Sequence, residues 1–138
     1  MKYKILLVLS IITVNSYAVD IGVKVSKFLD CITCKENQNQ YDVGEHGERS
    51  IYGITKDVWN QHMPNLSFSL CTNDKSLARV CAVRHLNWLS QQLILNGYPS
   101  NVYTLATCWN RGLNGYLYFA RNSKVSNYGL DVKEMYNY

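Results

Sequence analysis

The chain has 138 residues, 47% of them hydrophobic and 17% charged, with 8 glycines and 2 prolines. That is about one domain's worth of chain with ample material for a core, which excludes collagen-like and disordered polymers. Fourteen Lys and Arg stand against 10 Asp and Glu, a formal +4; no basic run interleaves with aromatics, so nucleic acid is not an expected partner, and the mild surplus suits a polyanionic matrix.

Met1-Lys2-Tyr3-Lys4 is a short basic start, residues 5–14 are apolar but for Ser10 and Thr13, and Asn15-Ser16-Tyr17-Ala18 ends on a small residue. This is the order of a secretory signal peptide, so residues 1–18 are expected to be removed and 19–138 to form a single domain, secreted or periplasmic. The apolar run is shorter than the ~20 residues of a membrane-spanning helix, and no other stretch could span, so no membrane association is expected after removal. Loss of Lys2 and Lys4 lowers the net charge to +2. All five cysteines fall in the remaining part, where an oxidising compartment permits disulfides. Cys71 and Cys81 are the expected bridge and Cys31 with Cys108 a weaker second; the odd count leaves one thiol over. Cys31-Ile32-Thr33-Cys34 has redox or zinc spacing but neither a βαβ pattern nor a second such pair around it. No cofactor and no metal is expected.

Val25, Phe28, Leu29 and Ile32 recur at helical spacing, with Glu36 one turn later on the same face. Residues 37–48 read as a polar loop, and the alternation over 50–54 as a short extended piece. Thr55 can cap a short helix carrying Val58 and Trp59 that stops near Met63-Pro64. Thr72 or Asn73 can cap a long helix over 74–96, with Gly97 just past its end. Its apolar residues, Leu77, Val80, Cys81, Leu86, Trp88, Leu89, Leu93 and Leu95, wrap most of the circumference, which predicts a central, buried helix. Ser100 caps a further helix over 101–110, ended by Arg111-Gly112, and shorter pieces follow around 116–120 and 127–136. The fold class is mainly α, with helices packed about the 74–96 segment. Trp59, Trp88 and Trp109 read as core residues, His85 as a hydrogen-bonded core histidine, and His46 and His62 as exposed.

A glutamate on the apolar face of a helix end is expensive unless it is used or paired, since burial disfavours a charged carboxylate. The run Glu36-Asn37, then Gly44-Glu45-His46-Gly47-Glu48-Arg49-Ser50-Ile51-Tyr52-Gly53-Ile54-Thr55, resembles the first motif of the lytic transglycosylases and goose-type lysozymes. In that motif a catalytic Glu near a helix end is followed by a Gly-containing loop and G-L-M-Q. Gly53-Ile54 takes the place usually held by Gln and the apolar residue after it. Leu105-Ala106-Thr107-Cys108-Trp109-Asn110-Arg111-Gly112 is similar to the A-x-Y-N-x-G motif, and Val125-Ser126-Asn127-Tyr128-Gly129-Leu130-Asp131-Val132 to the E-T-x-x-Y-V segment. The three occur in family order and cover most of the chain.

The resemblance implies a lysozyme-like fold, most often monomeric, acting on peptidoglycan glycan strands. It implies that Glu36 protonates the bond between N-acetylmuramic acid and N-acetylglucosamine, then acts as base on the muramic C6 hydroxyl to close a 1,6-anhydro ring. It also implies that Asn110 holds Glu36 or the sugar, that Tyr128 points its hydroxyl at the site, that Tyr52 stands in the groove wall and that Ser50 reaches the muramyl ring. A hydrolytic lysozyme would need a second carboxylate, for which Asp42, Glu45 and Glu48 are the loop candidates. A catalytically silent relative that binds glycan or a protein partner is the remaining alternative.

Overall fold

The computed structural model describes residues 21–138; the signal-peptide segment 1–18 and the cleavage point after Ala18 lie outside them. Six helices follow in order: α1 (Val25–Glu36), α2 (Lys56–His62), α3 (Ser69–Asn73), α4 (Lys75–Leu95), α5 (Val102–Arg121) and α6 (Asn127–Asn137). Among the described residues there is no sheet; isolated antiparallel bridges join Val43 to Arg49 and Arg49 to Ile54 in the loop between α1 and α2. The chain is thus a mainly α-helical single domain. No helix among the described residues is long and apolar enough to cross a membrane.

α1 buries Phe28, Leu29, Cys31 and Ile32, the face its spacing predicts. α4 is capped by Asp74, whose carboxylate accepts from Leu77 N at 3.0 Å, rather than by Thr72 or Asn73. It buries one stripe, Ala78, Cys81, Ala82, His85, Leu86, Leu89, Ser90 and Leu93, packed against α2, α3 and α5. The expectation of a helix buried all round is corrected here: Val80 and Leu95 face solvent, Leu95 at 77% exposure. Five other helices in so small a domain cannot enclose a 21-residue one.

Ser100 does not cap α5. Its hydroxyl donates to Ile21 O at 2.6 Å and pairs with Ser90 Oγ, while Asn101 and Thr104 form a reciprocal capping box at the helix start. The expected break at Gly112 is present, with φ 73° and ψ 167°, but helix resumes at once and continues to Arg121. Two further differences concern elements. α3 was not expected from the sequence, and residues 50–54 form a tight turn closed by Gly53 N to Ser50 O (3.2 Å) rather than an extended piece, because Ser50 and Gly53 both adopt positive φ.

α6 runs antiparallel to α1 and clips it along its length. Tyr136 Oη accepts from Lys24 N at 2.8 Å at the start of α1, and Asp131 meets Lys35 at 2.6 Å near its end. Gly129 seats α6 on α5: a Cβ there would collide with Thr107 Oγ1 and press on the Tyr103 ring. Ser126 caps the helix by accepting from Gly129 N at 3.0 Å. This register determines what Tyr128 faces.

Candidate active site

Glu36 is the last residue of α1, half-buried, and the chain leaves it through Asn37 in the left-handed conformation (φ 49°). The Tyr128 hydroxyl donates to Glu36 Oε1 at 2.7 Å. Burial first, and then the bond to Glu36, push the Tyr128 hydroxyl's ionisation far upward. The phenol therefore stays protonated, a donor and not a base. Lys35 sits 5.8 Å above the Tyr128 ring while bonded to Asp131, so the last turn of α1 and the first of α6 are tied beside the carboxyl.

Gly53 closes the other side. A Cβ built on it would lie 3.3 Å from Glu36 Oε2 and 3.4 Å from Cδ. The backbone φ of +62° is one that L side chains rarely adopt. Oε1 is thus held by Tyr128, while Oε2 has no hydrogen bond among the described residues and lies close against the backbone of Gly53, with no side chain between.

From Gly53 a small void continues past Ile54, Thr55 and Val58 to His85 and Trp109. It adjoins a cleft of ≈ 570 Å³ between α2, α4 and the break in α5, lined among others by Trp88, Trp109, Asn110 and Arg111. Asn110 is exposed on that wall, and its side chain makes no hydrogen bond among the described residues, to Glu36 or otherwise. It is placed to meet a ligand in the cleft. The break at Gly112 ends the first half of α5 there and opens the cleft's edge.

Two expected groove residues are turned inward. Ser50 is fully buried and its Oγ accepts from Tyr52 N at 3.2 Å. Tyr52 is 6% exposed; its hydroxyl accepts from Arg79 and its carbonyl from Trp109 Nε1 at 3.1 Å. The resemblance implied both as groove residues; the tight turn from Ser50 to Gly53 buries them instead. Both residues hold the turn that carries Gly53. Of the loop carboxylates, Glu48 folds back on its own loop, accepting from His46 N at 2.8 Å, and Asp42 and Glu45 are exposed. None has a hydrogen bond to Glu36.

His85 is buried and hydrogen-bonded as expected, but its partner corrects another expectation: His62 is half-buried, with Nε2 3.0 Å from His85 Nδ1. Trp59 is core. Trp88 and Trp109 are part-buried and line the cleft as well, a role the sequence reading missed. The signal was present for Trp109, which directly precedes the candidate residue Asn110.

The five cysteines are thiols in this structure. Cys71 and Cys81 are both fully buried, and burial, with a smaller contribution from Cys71, pushes the Cys81 thiol up to about 12. Burial likewise holds Cys108 at about 12 and raises Cys31, so none of these is an activated thiolate. Among the described residues no group of three or more His, Cys, Asp and Glu comes together to hold a metal. Comparison with family profiles, with curated proteins and with solved structures gives no match to this chain.

Proposed function

We propose that this chain is a lysozyme-like, peptidoglycan-cleaving enzyme of the lytic transglycosylase type, with Glu36 as its only acid and base. The observation that carries the reading is the environment of one carboxyl. Three segments that resemble the family's motifs, distant in sequence, come near it: Tyr128 donates to Oε1, Gly53 lies against Oε2 with no side chain between, and the Trp109-Asn110 segment lines the cleft that continues from the void at Gly53. A carboxyl held on one oxygen and open on the other suits proton transfer at a single point.

Protonated Glu36 gives its proton from Oε2 to the oxygen between N-acetylmuramic acid and N-acetylglucosamine, and the C1–O bond breaks. The same oxygen then takes the proton of the muramic C6 hydroxyl as that oxygen bonds to C1, closing the 1,6-anhydro ring. Tyr128 donates to Oε1 throughout, steadying the carboxylate between the two transfers. No water is activated, so a second carboxylate is not needed.

Glu36→Gln should keep the fold and abolish release of fragments from purified sacculi, because an amide neither gives nor takes the proton. Mass spectrometry of wild-type products should show muropeptides lighter by one water and lacking a reducible end. Reducible ends would establish a hydrolase instead. Binding to sacculi without release, equal in wild type and Glu36→Gln, would establish a binding protein.

A further inference from the structure

His85 lies where α2, α4 and α5 meet, and its surroundings are built for more than packing. Its ring stacks on Trp88 (centroids 5.9 Å apart, 14° between planes) and meets Trp109 edge-on at 5.3 Å. Nδ1 is held by His62 Nε2 at 3.0 Å. Three buried polar side-chain atoms among the described residues lack a partner, Gln40 Oε1, Arg49 Nε and Thr72 Oγ1. His85 Nε2 is not among them, although it has no hydrogen bond, so it opens to the voids that its residue lines.

We propose that His85 is a saccharide-recognising residue: its Nε2 bonds the acetamido group of an N-acetylhexosamine seated against Trp88 and Trp109, and His62 is the positioning residue that holds the ring. The proposal rests on the glycan-cleaving reading above and extends it to what the cleft selects. Only one proton can sit between the two histidines. His85 Nε2 is an N–H donor when His62 supplies that proton and an acceptor when His85 does. An amide answers both states, with its carbonyl and its N–H, and its methyl meets the apolar wall of Ile54, Val58 and Leu89. A free amine, charged at neutral pH, would have to shed its water against that same wall.

Burial, and then the neighbouring His62, lower His85 to about 4. Burial and Arg84 lower His62, whose carbonyl accepts from Arg84 at 2.9 Å. The other charged groups at this cleft are Asp57 from α2 and Arg111 from α5. Nε2 can therefore act as donor or acceptor through the mildly acid range, and only as a donor once pH falls through about 4.

The test titrates the full mature chain with tetra-N-acetylchitotetraose and with its fully deacetylated counterpart, by calorimetry, with folding checked by circular dichroism. Wild type should favour the acetylated tetramer at least tenfold, with affinity level between pH 7 and 5. His85→Phe, which keeps the stack, should erase that preference. His62→Phe should weaken the acetylated ligand roughly tenfold without touching it, and His62→Gln, which can still bond His85 Nδ1, should restore most of the loss. If His85→Phe fails to fold, the His62 pair decides. Unchanged affinities in the His62 and His85 variants of a chain that cleaves sacculi overturn this subsite and leave the catalytic reading intact. A wild type that neither cleaves sacculi nor binds either tetramer overturns both.

Discussion

Replacing Gly53 by alanine separates the chemistry of Glu36 from the stability of the loop that covers it. The added methyl would stand 3.3 Å from Oε2 and 3.4 Å from Cδ, so the carboxyl must yield by a few tenths of an ångström. It has little freedom to do so, because Oε1 is bonded to Tyr128 at 2.7 Å. The methyl also occupies the space through which a glycosidic oxygen would reach Oε2. The backbone adds its own cost, since an L residue at φ +62° loses about 1–2 kcal/mol relative to glycine. A domain of ordinary stability survives that. Gly47 supplies the control: it has φ +78° and nothing within 4 Å of its would-be Cβ, so Gly47→Ala meets the same backbone cost without touching the site. Urea unfolding should show both variants destabilised by about 1–2 kcal/mol. Sacculus cleavage should fall by about 100-fold or more in Gly53→Ala, the scale of a misplaced reacting group, and stay within about threefold of wild type in Gly47→Ala, since one tenfold step needs ~1.4 kcal/mol at the reacting atoms. Equal activity in the two variants would refute the claim that Oε2 works through the gap over Gly53.

Tyr128→Phe removes one hydrogen bond to a carboxylate, ~1.5 kcal/mol, and should lower kcat roughly tenfold with KM little changed; a loss confined to KM would contradict a role at the carboxyl. Because His85 is lowered from 6.5 to about 4, the unfolded chain binds more protons between those values. The stability due to this group is complete above pH 6.5, is lost as pH falls toward about 4, and amounts to about 3 kcal/mol. His62, lowered in the same sense, adds to it. Urea unfolding from pH 7 to 4 should show this slope in wild type and a shallower one in His85→Phe; parallel slopes would refute it. Cys71 and Cys81, buried where α3 meets α4, are proposed to pair in an oxidising compartment, passing two electrons and two protons to a disulfide donor. Peptide mapping of the native secreted protein should recover the linked peptides, while five alkylatable thiols would contradict the pairing.

Helix-period patterning made α1 and the place of Glu36 at its end legible, because Val25, Phe28, Leu29 and Ile32 repeat over a full three turns. Tyr128 and Asn110 were reached through the order of the motifs and not through any local signal. What pairs Tyr128 with Glu36 is the antiparallel register of α6 on α1, set by Lys35–Asp131 and by Tyr136 against Lys24, contacts separated by 96 and 112 positions. Patterning within a window cannot encode them. The reading of residues 50–54 as extended failed for a local reason. A two-residue alternation predicts an extended piece only if every φ is negative, and Ser50 (φ 66°) breaks that condition. The cap of α5 was lost to a distant competitor: Ser100 and Asn101 are both good caps, and Ile21 O recruits the serine.

The exchange of Gln for glycine at position 53 looks in the sequence like the loss of a groove-lining side chain. In the fold it has a different consequence. The turn from Ser50 to Gly53 presses the backbone against Glu36, and any side chain on Gly53 would compete with substrate for Oε2. Trp109 and Asn110 line the neighbouring cleft from α5. Nor can Tyr128 share the proton transfers, because burial and the bond to Glu36 keep it a phenol. In the proposed reaction one carboxyl, held on one oxygen by Tyr128, would act at both stages. The chemistry that suits it draws its nucleophile from the substrate itself.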